Sequence, residues 1–416
     1  MPRITLRKTE PFSLDQTLGC GQVFRWEHRG EWWYGVLGRG ALKVKQEGDS
    51  LRCVSSEDPL DGSFLRSYFR LDEQLEPIMA SVMKDQTMTA AVQRFYGLRL
   101  LRQDFWECLA SFVLATNANI PRIRKMVASV CSAYGDPFEF EGLTYFTFPD
   151  AERLAGVQVS ELRASGLGYR APFLRRVAES VSRGAVNGGE VEMMDYDRAH
   201  GALLKVLSGE KLLLGVGPKV ADCVLLYSCG KDEAFPIDVW IARELARSYP
   251  NLVDPGVLKK LTREPPGKLT QREYSDLSRV ARGYFGPHAG LAQQYLYMIG
   301  RERLAGPLPL LLRGPLLRGG LLRLRSLRRL RFLGRGVPLP DAGYVGLDEA
   351  PPPEVHRDAP SEGETDGESA LGQLSPREPL PWPFEHRVRV PRAHHGSRNP
   401  PLGFQQLGAL GLRFLR

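Results

Sequence analysis

The chain has 416 residues, 43% of them hydrophobic and 25% charged, and a formal net charge of +8 at pH 7. Those proportions are ordinary for a soluble globular protein, and the length can hold two or three domains with sizeable cores. Six scattered cysteines (20, 53, 108, 131, 223 and 229) with no CxxC pair exclude a zinc or iron–sulfur ligand set, and the lack of an 18-residue apolar run excludes a membrane span.

The opening MPRITLRKTEPFSL has no apolar signal core, so reduced thiols in a cytosolic setting are expected. Residues 1 to about 95 read as a mixed domain. Ser13-Leu14-Asp15-Gln16 opens a short helix, and VFRWEHRG, EWWYGVLG, ALKVKQEG and SLRCVSS then succeed one another. Each is short, rich in Val, aromatic or alternating residues, and ends in Gly, Asp or Ser, the pattern of an antiparallel meander. Trp26, Trp32 and Trp33 belong to its core or sheet face. From Tyr68, YFRLDEQLEPIMASVMK is expected to be helical, and residues from 96 to 304 read as helical throughout.

The stretch 212–238, LLLGVGPKVADCVLLYSCGKDEAFPID, is the densest in chemistry. Gly215, Val216 and Gly217 make a turn whose free N–H groups, backed by a helix N-terminus, suit a phosphate. Pro218 fits the first helical turn, and Val220, Ala221, Val224 and Leu225 recur at helical spacing. Lys219 sits in that first turn, where helix dipole and burial both favour the neutral amine that a nucleophilic lysine needs. Cys223 follows one turn later on the same face. Asp238 precedes VWIAREL and suits an N-cap; its carboxylate can also orient an amine or take a proton from it. Taken singly, these are ordinary features: most of the 12 lysines are solvated, and an Asp before a helix is usually only a cap.

The tail is different in kind. Residues 301–416 hold 18 Arg, no Lys and 12 acidic residues, a net of +6, so the rest of the chain is nearly neutral and any DNA-binding face in it must be local. Leu/Arg/Gly/Pro repetition followed by a Pro/Ser/acidic stretch predicts disorder for 305–416.

GVGPKVADC together with PIDV closely resembles the signature of the helix-hairpin-helix DNA glycosylases with a catalytic lysine, and most closely the 8-oxoguanine DNA glycosylase/AP lyases. The resemblance spans residues 10–304. It implies an α+β architecture, an antiparallel-sheet domain (1–95) and an α-helical helix-hairpin-helix domain (96–304), and it stops before the low-complexity tail (305–416). It implies catalysis by Lys219 and Asp238, with a Schiff base that requires neither redox cofactor nor metal. SLDQTLGCGQVFRW matches the motif in which the Gly21 carbonyl accepts N7–H of the damaged base, where normal guanine presents a bare acceptor. Gln293 and Tyr297, four apart in GLAQQYLYM, are implied to hold the Watson–Crick edge and one face of that base, with Cys223 on the other face. Asn117 and Arg122, in NANIPR, are implied to meet the cytosine left behind; Tyr169 is implied to wedge into the duplex and Arg170 to join in reading that cytosine. The chain departs from the family at Ala118, within a run of Asn in several members, and at Trp240, where a phosphate-contacting His is frequent. The implied partner is double-stranded DNA carrying oxidised guanine, with no membrane; a monomer is expected, cytoplasmic and DNA-associated, or nuclear in a eukaryote. Two alternatives remain at this level: a monofunctional alkylated-purine glycosylase on the same fold, and a non-catalytic DNA-binding module.

Overall fold

Alternating apolar residues form the first layer, a five-stranded antiparallel sheet. Its strands are β1 (Arg3–Arg7), β2 (Trp26–Arg29), β3 (Trp32–Leu37), β4 (Gly40–Glu47) and β5 (Ser50–Ser55), in the order β1-β5-β4-β3-β2. The four segments of the meander are all strands. β1 was not expected; its five residues pair along β5, with Thr5 opposite Arg52. Ser13 caps α1 (Leu14–Gly19), and Asp15 accepts the Trp33 indole N–H at 2.7 Å, pinning that helix to the sheet. The computed structural model describes residues 1–304 except Thr9, 58–60, 209–216 and Pro265. The disorder expected for 305–416, and the backbone of Gly215 and Val216, lie outside the described residues.

Trp26 and Trp33 are buried in the sheet core, and Trp32 lies on the opposite face. A Cβ added at Gly35 of β3 would stand 2.4 Å from Cδ2 of Trp26, whose ring is held by an indole N–H bond to the Tyr68 hydroxyl at 2.9 Å. Gly35→Ala is therefore expected to destabilise the protein by about 1–3 kcal/mol, the cost of overpacking a core. An unshifted urea midpoint would show instead that the strand gives way freely.

The segment after Tyr68 is not one helix. α2 (Gly62–Tyr68) ends there and α3 (Leu75–Val82) begins seven residues on. Between them Arg70 adopts the left-handed region (φ 51°) and is buried, paired with Asp232 at 2.7 Å. A long-range ion pair thus breaks a locally helical pattern. The helices α4 (Gln86–Arg94), α5 (Phe105–Leu114), α6 (Ile120–Tyr134) and, past a short hairpin, α7 (Ala151–Gly156) all begin at Asp or Asn caps.

Nor are residues 96–304 helical throughout. β6 (Pro137–Phe140) and β7 (Leu143–Phe146) form that hairpin. Phe138, Phe140 and Tyr145 pack against Ala41, Val54, Trp32 and Tyr34 of the sheet, so the large sheet supplies the apolar surface that the short strands lack alone. α8 (Val159–Leu162) leads through two tight turns to α9 (Ala171–Ser182), followed by α10 (Gly188–Met193) and α11 (Tyr196–Ser208). α12 (Pro218–Ser228) comes next, then α13 (Val239–Ser248), α14 (Pro255–Thr262), α15 (Gln271–Phe285) and α16 (Ala289–Leu304). α12 is buried from Val220 to Tyr227 and runs through the centre of the helical core. Cys20 and Phe24 of the sheet layer insert into that same core. The architecture is α+β, an antiparallel-sheet domain followed by a helical one. Among the described residues no helix is long and apolar enough to cross a membrane.

Candidate active site

Lys219 lies half-buried in the first turn of α12, directly after Pro218. Its Nζ stands 5.0 Å from the ring centroid of Phe112 in α5. Phe112 in turn stacks on Tyr227 (5.4 Å between centroids) and meets the edge of Phe24 at 5.5 Å. The amine therefore rests on an aromatic floor contributed by three distant segments. Burial, working against the charge of Lys219 and a hydrogen bond from it, leaves the Cys223 thiol raised to about 11. Asp238 is half-buried, and its carboxylate caps α13 by accepting the Ile241 N–H at 2.8 Å. Burial raises its pKa, and Lys219 is the leading influence that lowers it again. Lys219, Cys223 and Asp238 thus form one electrostatic group.

The Gly21 loop is fastened beside this group. Gly21 has φ 91°, a conformation that a side chain strains. A Cβ placed there would lie 3.7 Å from the Tyr297 ring and 2.9 Å from Cδ1 of Ile120. Its neighbours are fixed on both sides. The Cys20 carbonyl accepts from Gln294 at 3.2 Å, and Gln294 also accepts the Tyr227 hydroxyl at 2.7 Å. Buried Gln22 donates to the carbonyls of Thr17 (2.8 Å) and Arg99 (2.9 Å) and accepts the Leu101 N–H at 2.9 Å. Arg301 donates to the Gly19 carbonyl at 3.1 Å while lying 5.7 Å from the Tyr297 ring centroid. Gln293, one turn before Tyr297, is buried, and its side-chain oxygen has no hydrogen-bond partner among the described residues. Such an orphan is costly unless something else satisfies it.

The second group surrounds one carbonyl. Tyr169, exposed at 46%, donates its hydroxyl to Thr116 O at 3.0 Å. Arg170, buried beside it, donates through Nε to the same oxygen at 2.8 Å and through Nη2 to the Asn117 carbonyl at 2.9 Å. Its guanidinium also stacks 4.4 Å from the Tyr169 ring. Asn117 is exposed in the left-handed region (φ 48°), and Arg122 is exposed in the first turn of α6. The structure therefore places Tyr169, Asn117 and Arg122 outward and Arg170 beneath them as a brace, with its Nη1 unpartnered among the described residues. Ile120, at the start of α6, links this group to Gly21.

Gly217 caps α12, and its carbonyl accepts from Val220 at 2.9 Å. Its φ of −159° is ordinary extended backbone, so the turn does not depend on glycine at this position through φ. Among the described residues nothing lies within 4 Å of the place a Cβ would occupy. Sequence reasoning missed Phe112, Gln22, Gln294 and Arg301. Phe112 reads as one more residue of an apolar stripe, and Gln22 had a signal only in its place inside the Gly21 loop. Trp240 remains 41% exposed beside Asp238, with Arg243 5.3 Å from its ring centroid.

Two family models match end to end: "8-oxoguanine DNA glycosylase, N-terminal domain" over residues 3–109 and "HhH-GPD superfamily base excision DNA repair protein" over residues 110–261. A probable N-glycosylase/DNA lyase of Methanothermobacter thermautotrophicus is 32% identical over 227 residues, 50% of this chain and 68% of that protein. N-glycosylase/DNA lyase OGG1 of Arabidopsis thaliana is 29% identical over 307 residues, covering 71% and 79%. A solved structure of the Clostridium acetobutylicum 8-oxoguanine glycosylase/lyase, in complex with double-stranded DNA containing cytosine opposite 8-oxoguanine, is 26% identical. It has a TM-score of 0.61 and covers 72% of this chain and 98% of that one. With the lysine, aspartate and glycine loop assembled around one aromatic floor, the chain belongs to the 8-oxoguanine DNA glycosylases of the HhH-GPD superfamily.

Proposed function

We propose that this DNA glycosylase and AP lyase excises 8-oxoguanine paired with cytosine through a Schiff base on Lys219. The observation that carries this reading is the grouping of Lys219, which rests on the Phe112 floor, with Asp238 and Cys223, beside the loop that presents Gly21 to Tyr297. A nucleotide flipped from the duplex enters between the two layers. Gly21 offers its carbonyl to N7–H of the lesion, Gln293 hydrogen-bonds the Watson–Crick edge, and Tyr297 and Cys223 cover the two faces. Asn117 and Arg122 meet the orphaned cytosine, Tyr169 wedges into the gap, and Arg170 braces the loop that carries Asn117. The N-terminus of α12, which has no side-chain cap among the described residues, faces a backbone phosphate at Gly217; Gly215 and Val216, outside the described residues, are assigned to the same phosphate from the sequence.

Asp238 accepts a proton from Lys219, and the amine attacks C1′ of the deoxyribose. The bond from C1′ to the base breaks, the base leaving with the bonding pair and taking up the proton that Asp238 received. Opening of the sugar ring forms the imine, loss of a C2′ proton expels the 3′ phosphate, and hydrolysis frees the lysine. Every named group lies on one chain, so we propose a monomer acting wherever the DNA resides: the cytoplasm, or the nucleus in a eukaryote. Borohydride trapping tests the reading. A covalent adduct is expected on duplex DNA with 8-oxoguanine opposite cytosine and not on the undamaged duplex. Release of free base without an adduct would replace it with a water-using mechanism of the alkylpurine type.

Asp238→Asn separates chemistry from stability. Loss of the proton acceptor is expected to slow excision by about 10²–10⁴-fold. Asn still caps α13. Burial raises the Asp238 pKa in the folded state, so the wild type loses stability as pH climbs from the unfolded value of about 3.9 through the folded one. The variant escapes that loss. Its Tm should match the wild type at acid pH and exceed it near pH 7; a Tm that fell below wild type at neutral pH would contradict the assignment.

A further inference from the structure

α12 carries one buried carboxylate that the chemistry above does not use. Asp222 lies between Lys219 and Cys223 and is fully buried. Two phenols donate to it, Tyr196 of α11 at 2.6 Å and Tyr274 of α15 at 2.6 Å. His200 Nε2 stands 3.7 Å from the same carboxylate and its ring stacks on Tyr196, with centroids 5.5 Å apart. Arg282 covers the Tyr196 ring at 3.8 Å. A buried carboxylate needs such partners, because desolvation disfavours its charge. Burial indeed pushes Asp222 above the usual carboxylate range, against His200, the two phenols and Arg282.

The two phenols differ in what else they touch. The Tyr274 oxygen also accepts the backbone N–H of Ile237 at 3.2 Å, one residue before Asp238. No such bond joins Tyr196 to the 235–238 segment among the described residues. Burial and the neighbouring Asp222 push the Tyr274 phenol well above its ordinary value, so it keeps its proton and donates to Asp222. α12, which carries Lys219, and the segment leading to Asp238 are therefore tied through one hydroxyl.

We infer that Tyr274 is a positioning residue for excision: held by Asp222 on one side and by the Ile237 amide on the other, it sets the placement of Asp238 relative to Lys219. This rests on the roles given to those two residues above. A misplacement of about 1 Å at a reacting group costs about 100-fold in rate.

The test compares Tyr274→Phe with Tyr196→Phe in the full chain. Each removes one hydroxyl from Asp222 and keeps the ring, so a purely structural cluster would make them equivalent. Tyr274→Phe is expected to lower the single-turnover rate of 8-oxoguanine excision at least tenfold, with Kd for lesion DNA within twofold of wild type. Tyr196→Phe is expected to lose a similar amount of Tm with at least fivefold less effect on rate. Asp222→Asn, which keeps the shape but weakens the acceptor for Tyr274, is expected to fall between them in rate with Kd unchanged; this variant carries the test if Tyr274→Phe does not fold. Equal rates for the two Tyr variants, or a rate loss matched by a rise in Kd, overturns the inference. Lys219→Gln, run alongside, separates the two levels: an adduct that survives in that variant sinks the lysine reading itself, whereas its loss with equal Tyr variants sinks only the role of Tyr274.

Discussion

Lys219→Gln is expected to abolish borohydride trapping and strand nicking and to lower single-turnover excision by on the order of 10⁴ or more, the usual consequence of removing a nucleophile. The amide is close to the amine in length and leaves Pro218 and the first turn of α12 intact, so affinity for lesion DNA should stay within a few-fold. The aromatic floor of Phe112, Tyr227 and Phe24 and the Gly21 loop do not depend on the charge. The variant should also show a linked change in stability. Lys219 is the main influence holding down the Asp238 carboxyl, which burial raises. Without it the folded pKa of Asp238 rises further, so stability relative to wild type should be equal at acid pH and lower near pH 7. Excision that persists at more than a tenth of the wild-type rate would falsify the assignment of the nucleophile.

Gly21→Ala should produce the next largest effect and a different signature. At φ 91° a side chain costs about 1–2 kcal/mol, and the new methyl would press on Ile120 Cδ1 at 2.9 Å. The loop cannot drift as a unit, since Gln294, Arg301 and the Gln22 side chain fasten the residues on either side. The strain must then fall on the Gly21 carbonyl itself. Excision is expected to drop about 100-fold, and the preference for 8-oxoguanine over guanine in binding should narrow, while affinity for undamaged duplex holds. Equal discrimination in the variant and the wild type would mean that the lesion is recognised without this carbonyl.

The structure also bears on Arg170. The family resemblance implies that it reads the opposite base, and its Nε and Nη2 are engaged by the carbonyls of Thr116 and Asn117. An arginine fork can donate to backbone carbonyls as well as to the edge of a base. Whether those acceptors are backbone carbonyls or a base is decided by which loop folds over it, and nothing within a few residues of Arg170 records that.

Features set within a short window of residues are legible before folding. Ser13, Asp238 and the residues that follow them announce helix starts because a cap bonds within three residues of itself. The four meander strands are legible because side-chain alternation and turn residues lie in one short window. Lys219 and Cys223 share a face through helical pitch alone. The remaining features depend on partners far away in the chain. Strand β1 needs β5 to pair with, and the hairpin of β6 and β7 needs the sheet's aromatic face. The break at Arg70 needs Asp232, 162 residues away in sequence. The site follows the same division: Gly21, Phe112, Lys219 and Tyr297 come from four separate stretches and meet only because α5, α12 and α16 bury their apolar faces in one core. Burial free energy depends on the sum of such surfaces and carries no mark of which distant residue will lie opposite. For that reason the chain names its chemistry in one short stretch but leaves the walls of the pocket to the fold.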